Sequence, residues 1–163
     1  ACGSWEPSPF RPAPIPHSES DYFAFKAHFR DSELPDDLMP LLMFPGGYGG
    51  MVQTDAGRVS LSCCITRRAL GAARRAHPGS AAEAVIAHIA AHAKGVAQAL
   101  TRAKPDGAYL SAGPIRPGIR ARYADGIFFA GNLAGEAHPI IAEGISMAIQ
   151  GATLLAQTLT GEG

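Results

Sequence analysis

From Tyr22 to Phe29, apolar and polar positions alternate along the chain. Phe23, Phe25, Ala27 and Phe29 share one face, with Tyr22, Ala24, Lys26 and His28 on the other, which predicts a half-buried strand with Lys26 and His28 toward solvent. Leu38 to Phe44 predicts a second strand, with Pro40 marking an edge or a bend. A glycine-rich stretch, Pro45-Gly46-Gly47-Tyr48-Gly49-Gly50, follows. Met51 to Gln53, the turn Thr54-Asp55-Ala56-Gly57 and the arm Arg58 to Thr66 then predict a hairpin. In its long arm Val59, Leu61, Cys63 and Ile65 alternate with Ser60, Ser62, Cys64 and Thr66, so Cys63 points to the apolar face and Cys64 away from it. Residues 22–66 thus read as an antiparallel sheet of three or four strands.

The period changes from two to 3.6 at Ser80. Ser80-Ala81-Ala82-Glu83 is a capping box, and Val85, Ile89, Val96 and Leu100 form the stripe of a helix predicted to run to about Lys104 and to stop at Pro105. Arg67, Arg68, Arg74, Arg75 and His77 precede it as a basic cluster. It reads as a solvated loop, or as a docking site for an anion such as a nicotinamide-cofactor phosphate or an acyl-carrier or CoA-linked substrate. Ala108 to Ala112 predicts a short strand and Gly113 to Gly118 a rigid loop. Arg116 within it and Arg120 just after it are placed either near dinucleotide phosphates or as caps on carbonyls. Ile127 to Ala130 is a short apolar run closed by Gly131-Asn132. A loop with His138-Pro139 leads to an amphipathic helix starting near Glu143-Gly144. Upstream, Pro7, Pro9, Pro12, Pro14 and Pro16 predict an extended connector.

Composition narrows the function classes. The 163 residues are 47% hydrophobic with a formal net charge of zero, which suggests neither nucleic acid nor an anionic membrane as partner. The long uncharged run Gly144 to Gly161 carries Ser, Gln and Thr periodically, so an amphipathic helix is expected rather than a transmembrane segment. Three cysteines, two of them vicinal, make neither a disulfide framework nor a metal-ligand spacing; a reducing, cytoplasmic setting is the expectation. His88 and His92 have the i, i+4 spacing of two metal ligands, but no third ligand accompanies them, and no metal is expected. The four glycines after Pro45 run into a strand rather than a helix, so their amides do not converge as in a phosphate loop. The helix start at Gly144 differs. Its amides lack helical partners and carry partial positive charge, and a residue without Cβ lets a flat, anionic or electron-rich ligand reach the backbone. An ordinary strand-loop-helix connection with packing glycines is the alternative.

Ala130-Gly131-Asn132-Leu133-Ala134-Gly135, then Pro139, Glu143-Gly144-Ile145, Ala148 and Gly151-Ala152, resembles the second flavin-binding motif of FAD-dependent oxidoreductases of the geranylgeranyl reductase and group A flavin monooxygenase superfamily. The resemblance is strongest over residues 108–160. It implies that Gly131, Asn132, Ala134, Gly135, Pro139, Gly144 and Ile145 hold FAD, with Asn132 in the position of the family's ribityl-binding acid. His138 and Glu143 are then the titratable groups nearest the flavin, candidates for moving a proton, each with a structural reading as well: His138 before proline in a loop, Glu143 at a helix start. Phe44, Pro45 and Tyr48 map onto the substrate-cavity strand, or pack a turn. The implied activity is reduction or monooxygenation of a small apolar, isoprenoid or aromatic substrate, with NAD(P)H as a possible electron donor. The Glu-Gly-Ile form is closest to the reductase branch, and the halogenase branch carries an N-terminal signature not found here.

No G-x-G-x-x-G stands between a strand and a helix, and the chain opens without methionine. The expectation is a C-terminal portion of an α+β flavoenzyme. Residues 1–21 would be a strand end and connector from a missing FAD domain. Residues 22–112 would form an antiparallel substrate-domain sheet with a helix, and residues 113–163 the C-terminal strand-loop-helix of a Rossmann-like FAD domain. A missing N-terminal FAD-domain chain is one possible partner. A flavin-free degenerate domain, binding an apolar ligand or a partner chain, is the alternative.

Overall fold

The alternating stretch becomes the central strand, β1 (Tyr22–Arg30), because its apolar face is buried and its edges are both paired. The computed structural model describes residues 16–161; the first four prolines of the connector and residues 1–4 lie outside them. The described chain divides into two compact units, one over residues 17–114 and one from Ile115 onward.

In the first unit β1 joins β2 (Leu41–Phe44), β3 (Gly47–Thr54), β4 (Arg58–Thr66), β5 (Lys104–Pro105) and β6 (Leu110–Ile115) in a six-stranded sheet. The order is β2-β3-β4-β1-β5, and β6 also pairs with β1. The β1–β4 ladder places Phe25 opposite Cys63 and Ala27 opposite Leu61. Phe25, Ala27, Phe29, Val59, Leu61, Cys63 and Ile65 line the buried face, where they cluster with Val85, Ile89 and Val96 from the helices. Full burial of each such aliphatic side chain contributes about 1.5–3 kcal/mol.

Three helices complete the unit: α1 (Arg67–Ala76), α2 (Ala81–His92) and α3 (Lys94–Ala99). The basic cluster is therefore a helix, not a loop. Thr66 caps it by accepting from the Ala69 amide. Arg67 is held by the buried Asp21, with its Nη2 3.6 Å from the carboxylate and its amide donating to the Asp21 carbonyl at 2.7 Å. Its guanidinium also covers the Phe23 ring at 5.1 Å. Arg68, Arg74 and Arg75 remain exposed, the latter two in the last turn, where cations complement the helix dipole.

The capping box at Ser80 and Glu83 is present with both hydrogen bonds. The helix it opens does not reach Lys104. Ala93 is extended (φ −123°), and the chain restarts as α3, which ends at Ala99. His88 sits at the inner end of this break. Its Nε2–H donates to the Pro45 carbonyl at 3.0 Å and its ring meets Phe44 edge-on, while His92 Nδ1–H donates to the His88 carbonyl at 2.8 Å. Among the described residues no group of three metal-ligating side chains converges.

The glycine-rich stretch is a two-residue turn, Pro45-Gly46, followed at once by β3. A Cβ at Gly47 or Gly49 would overlap the β4 carbonyls of Cys64 and Ser62, so the flat object these glycines admit is the neighbouring strand. The second strand is shorter than its pattern, beginning after Pro40, and β6 continues through Pro114 into the stretch expected to be a loop. Cys64 and Ser60, on the supposed solvent face, are buried.

The second unit has two antiparallel ribbons: β7 (Gly118–Ile119) with β10 (Gly135–Glu136), and β8 (Tyr123–Ala124) with β9 (Ile127–Phe128). Asp125-Gly126, with φ of 50° and 79°, makes the two-residue hairpin turn of the second ribbon, a geometry that suits an Asp-Gly pair. Single turns of 3-10 helix at Gly131–Leu133 and Pro139–Ile141 lead to α4 (Gly144–Thr160). The predicted strand-loop-helix order is thus present, but β9 is two residues long and pairs in a hairpin rather than in a parallel, Rossmann-like sheet. Among the described residues no helix is long and apolar enough to cross a membrane.

Ser80→Ala should lower stability by about 1 kcal/mol, the usual effect of removing an N-cap, in denaturant unfolding. Hydrogen bonds from the Ser80 amide and hydroxyl hold the Glu83 carboxyl below its ordinary range. Its contribution to stability is therefore present above about pH 4.5 and fades as pH falls further, and the Glu83 NMR titration should move up in the variant. Burial, and then the neighbouring Cys64, push the Cys63 thiol from 9.0 up to about 12, and burial also raises Cys64 against a hydrogen bond from Tyr48. In a Cys2→Ser background neither thiol should react with a disulfide reagent at pH 8 until urea is added. Since only the unfolded thiol ionises between about pH 9 and 12, stability should fall across that window, less steeply in Cys63→Ala.

Candidate functional site

Unit two is built around a turn that only a few residues can make. Gly131 adopts φ +58°, and a Cβ there would come within 3.3 Å of the Ala148 methyl, so the second turn of α4 stands over this glycine. The loop that follows folds back onto the segment Arg116–Arg120. Arg120 is the tie: its amide donates to the Ala134 carbonyl at 2.9 Å, and its guanidinium donates to the carbonyls of Asn132 and Arg116 and to Glu136 Oε2 at 2.8 Å. Glu136 is 7% exposed, and Oε2 also accepts from the Arg116 amide at 2.9 Å. A carboxylate this buried requires such partners, because its desolvation is otherwise costly. Asn132 Nδ2 approaches Glu136 Oε1 at 3.4 Å.

Between this loop and the start of α4 lies a cavity of about 620 Å³. Gly131, Asn132, His138, Pro139, Glu143, Gly144 and Ile145 all border it, together with Ile115, Ala130, Glu136, Ala137, Ala142, Ala148 and Ile149. The wall is mainly apolar with a few polar groups, the usual make-up of a small-molecule site. Ala134 and Gly135 do not border it. The first accepts from Arg120, and the second pairs with Ile119, where a Cβ would lie 3.1 Å from the Gly118 carbonyl.

Glu143 occupies the N-cap of α4 without a side-chain cap hydrogen bond. The positive end of a helix of 17 residues is thereby directed at the cavity edge, where it stabilises negative charge. Gly144 stands in open space, with no atom within 4 Å of where its Cβ would be. His138 caps the preceding 3-10 turn, its Nδ1 accepting from the Ile140 amide at 3.3 Å.

Phe44, Pro45 and Tyr48 lie in the other unit and are not grouped around one cavity. With Phe44 paired to Gly47 across the two-residue turn, Tyr48 necessarily falls on the opposite face of the sheet. Phe44 is buried in the core against His88, and Pro45 is exposed with its carbonyl bonded to that ring. Tyr48 is half-buried beside Tyr22, at 6.2 Å between ring centroids, and pairs across the ladder with Cys64. A separate cavity of about 450 Å³ in this unit is lined by Leu34, Leu38, Leu42, Met51 and Val96 with Glu33 and Gln98. It opens where the helix breaks at Ala93, which the uninterrupted stripe of the sequence concealed. Arg120 and Glu136 were also not paired by sequence reasoning; an acid four residues beyond Asn132 was the available signal.

No protein-family model matches the chain, and no curated protein matches it. Solved structures do match. The myxobacterial chondrochloren halogenase CndH, an FAD-dependent halogenase variant, is similar with a TM-score of 0.65 and 17% identity, over 89% of this chain and 35% of that one. A flavoprotein/dehydrogenase from Cytophaga hutchinsonii is similar with a TM-score of 0.62 and 17% identity, over 90% and 37%. PqsL of P. aeruginosa, solved in complex with 2-aminobenzoylacetate, gives 0.53 and 19%, over 90% and 40%. The chain spans between a third and two-fifths of the length of these proteins. Its mixed sheet and helices therefore have the fold of a part of FAD-dependent halogenases and related flavoproteins.

Proposed function

We propose that the cavity at the start of α4 binds the isoalloxazine and ribityl parts of FAD, and that the chain is part of an FAD-dependent oxidoreductase. The observation that carries this reading is the convergence of Gly131, Asn132, Pro139, Gly144 and Ile145 on one cavity beside a helix N-terminus. The fold likeness to flavoproteins supports it. The residues present fit the group: Gly144 borders the cavity with no side chain of its own and no neighbour crowding it, and the polar groups are few.

Bound flavin would supply the redox chemistry. The protein's part is to bind, orient and handle charge. With flavin bound, Gly144 and Ile145 would present the first-turn amides to the ring, and the positive end of α4 would favour negative charge there. Asn132 offers a carboxamide to the ribityl hydroxyls. Glu136 and Arg120 hold the loop. His138 and Glu143, both at the cavity wall, are the candidate groups for a proton. In the other unit the sheet face bearing Tyr48, Met43 and Tyr22 is the proposed substrate side, with Phe44 supporting it from the core and Pro45 at the turn. An apolar or aromatic substrate suits that surface, and NAD(P)H is the proposed electron donor. The Glu143-Gly144-Ile145 form leans toward the reductase branch, whereas the fold likenesses are with halogenases and PqsL; FAD is common to both lines.

The purified protein, or the protein titrated with FAD, should show absorption bands near ~370 and ~450 nm, the oxidised-flavin region. A colourless protein indifferent to FAD would favour the flavin-free reading, in which the cavity takes another apolar ligand or a partner chain. Gly144→Val should leave thermal unfolding nearly unchanged, since a Cβ there meets no crowding neighbour, yet weaken flavin binding at least about tenfold, or ~1.4 kcal/mol. Retained affinity in a titration of flavin fluorescence would displace the site from α4.

A further inference from the structure

We infer that Glu136 is a positioning residue that makes Asn132, rather than an aspartate, the residue suited to this cavity. The inference rests on the flavin reading and extends it to the recognition of the polyhydroxyl (ribityl) chain. In the resembled motif the position of Asn132 is acidic. Here an acid of the cavity wall stands four residues later, at Glu136, nearly buried and paired with Arg120 at 2.8 Å. Oε2 is committed to that guanidinium and to the Arg116 amide, and Oε1 faces the Asn132 amide nitrogen at 3.4 Å. Because Glu136 can only accept, it selects the NH2 group of the carboxamide, which fixes the amide flip. The motif's acid and Glu136 are therefore mutually exclusive: an aspartate at 132 would set carboxylate against carboxylate in a partly buried wall, where like charges repel strongly. Asn132 with Glu136 replaces the single acid by a neutral hydrogen-bonding group anchored to a displaced charge.

The test is a double-mutant cycle with two probes. Thermal unfolding of the ligand-free protein is measured for wild type, Asn132→Asp, Glu136→Gln and the pair together, and each is titrated with riboflavin and with lumiflavin, which lacks the ribityl hydroxyls. Asn132→Asp, although it restores the motif's usual acid, should lower the melting temperature and weaken riboflavin at least about tenfold, with lumiflavin little changed. Adding Glu136→Gln to it should recover most of both losses, since a glutamine can donate to the new carboxylate. Unchanged or tighter riboflavin binding by Asn132→Asp, equal losses for the two probes, or single effects that simply add in the pair would each overturn the inference. If Asn132→Asp does not fold, recovery of folding in the pair supports the coupling and its failure there refutes it. If wild type binds neither probe, the flavin reading itself fails, and the unfolding cycle alone decides whether Glu136 and Asn132 are coupled.

Discussion

The ladder between β1 and β4 is the constraint on which the sheet unit rests. It runs from the Tyr22–Thr66 pair to the Phe29–Val59 pair, and its register puts every large apolar side chain of both strands on one face. A one-residue slip of β1 against β4 would turn Phe25, Ala27 and Phe29 outward and bring Lys26 and His28 inward. The helices have one surface on which to lie because this register is unique. Gly47 and Gly49 then follow as a consequence, since β3 lies so close to β4 that a Cβ on that face would strike its carbonyls.

What was legible in the sequence was what local patterning dictates. The alternation of β1 and β4, the capping box at Ser80 and the turns at Thr54-Asp55-Ala56-Gly57 and Asp125-Gly126 each depend on residues adjacent in the chain. The errors arose where a distant partner decides. Arg67 to Ala76 reads as a charged loop because its apolar positions are mostly alanine, a weak signal; the helix is fixed by Thr66, by Asp21 and by the burial of Ala73. The break at Ala93 is invisible because Val96 resumes the stripe in nearly the right phase. Tyr48 and Phe44, close in sequence and both aromatic, suggested one wall, but a two-residue turn sends neighbours of that spacing to opposite faces.

The candidate site was legible to a larger extent, since its motif is local: glycine turn, loop proline and helix start lie within residues 131–145. The sequence did not reveal what stiffens it. Arg120 reaches the loop from a separate segment, and nothing in its surroundings in the sequence marks it as the partner of Glu136. The buried ion pair contributes geometry more than stability, because the cost of desolvating both ions offsets much of their attraction. Ala134 and Gly135 do not line the cavity; Gly135 belongs to the ribbon that carries Glu136 to the wall.

The helix that closes the cavity has no buried residue along its whole length. Leu154 and Leu159 are exposed, as are Ile145, Met147 and Ile149 nearer its start. A helix of 17 residues standing on so little tertiary support is only slightly longer than the ~12–15 residues at which isolated helices are marginal in water. Its amide protons should then exchange quickly with solvent, and the order of its first turn becomes a variable rather than a given. A molecule that covered the far half of the helix would therefore also favour order in its first turn, which borders the cavity.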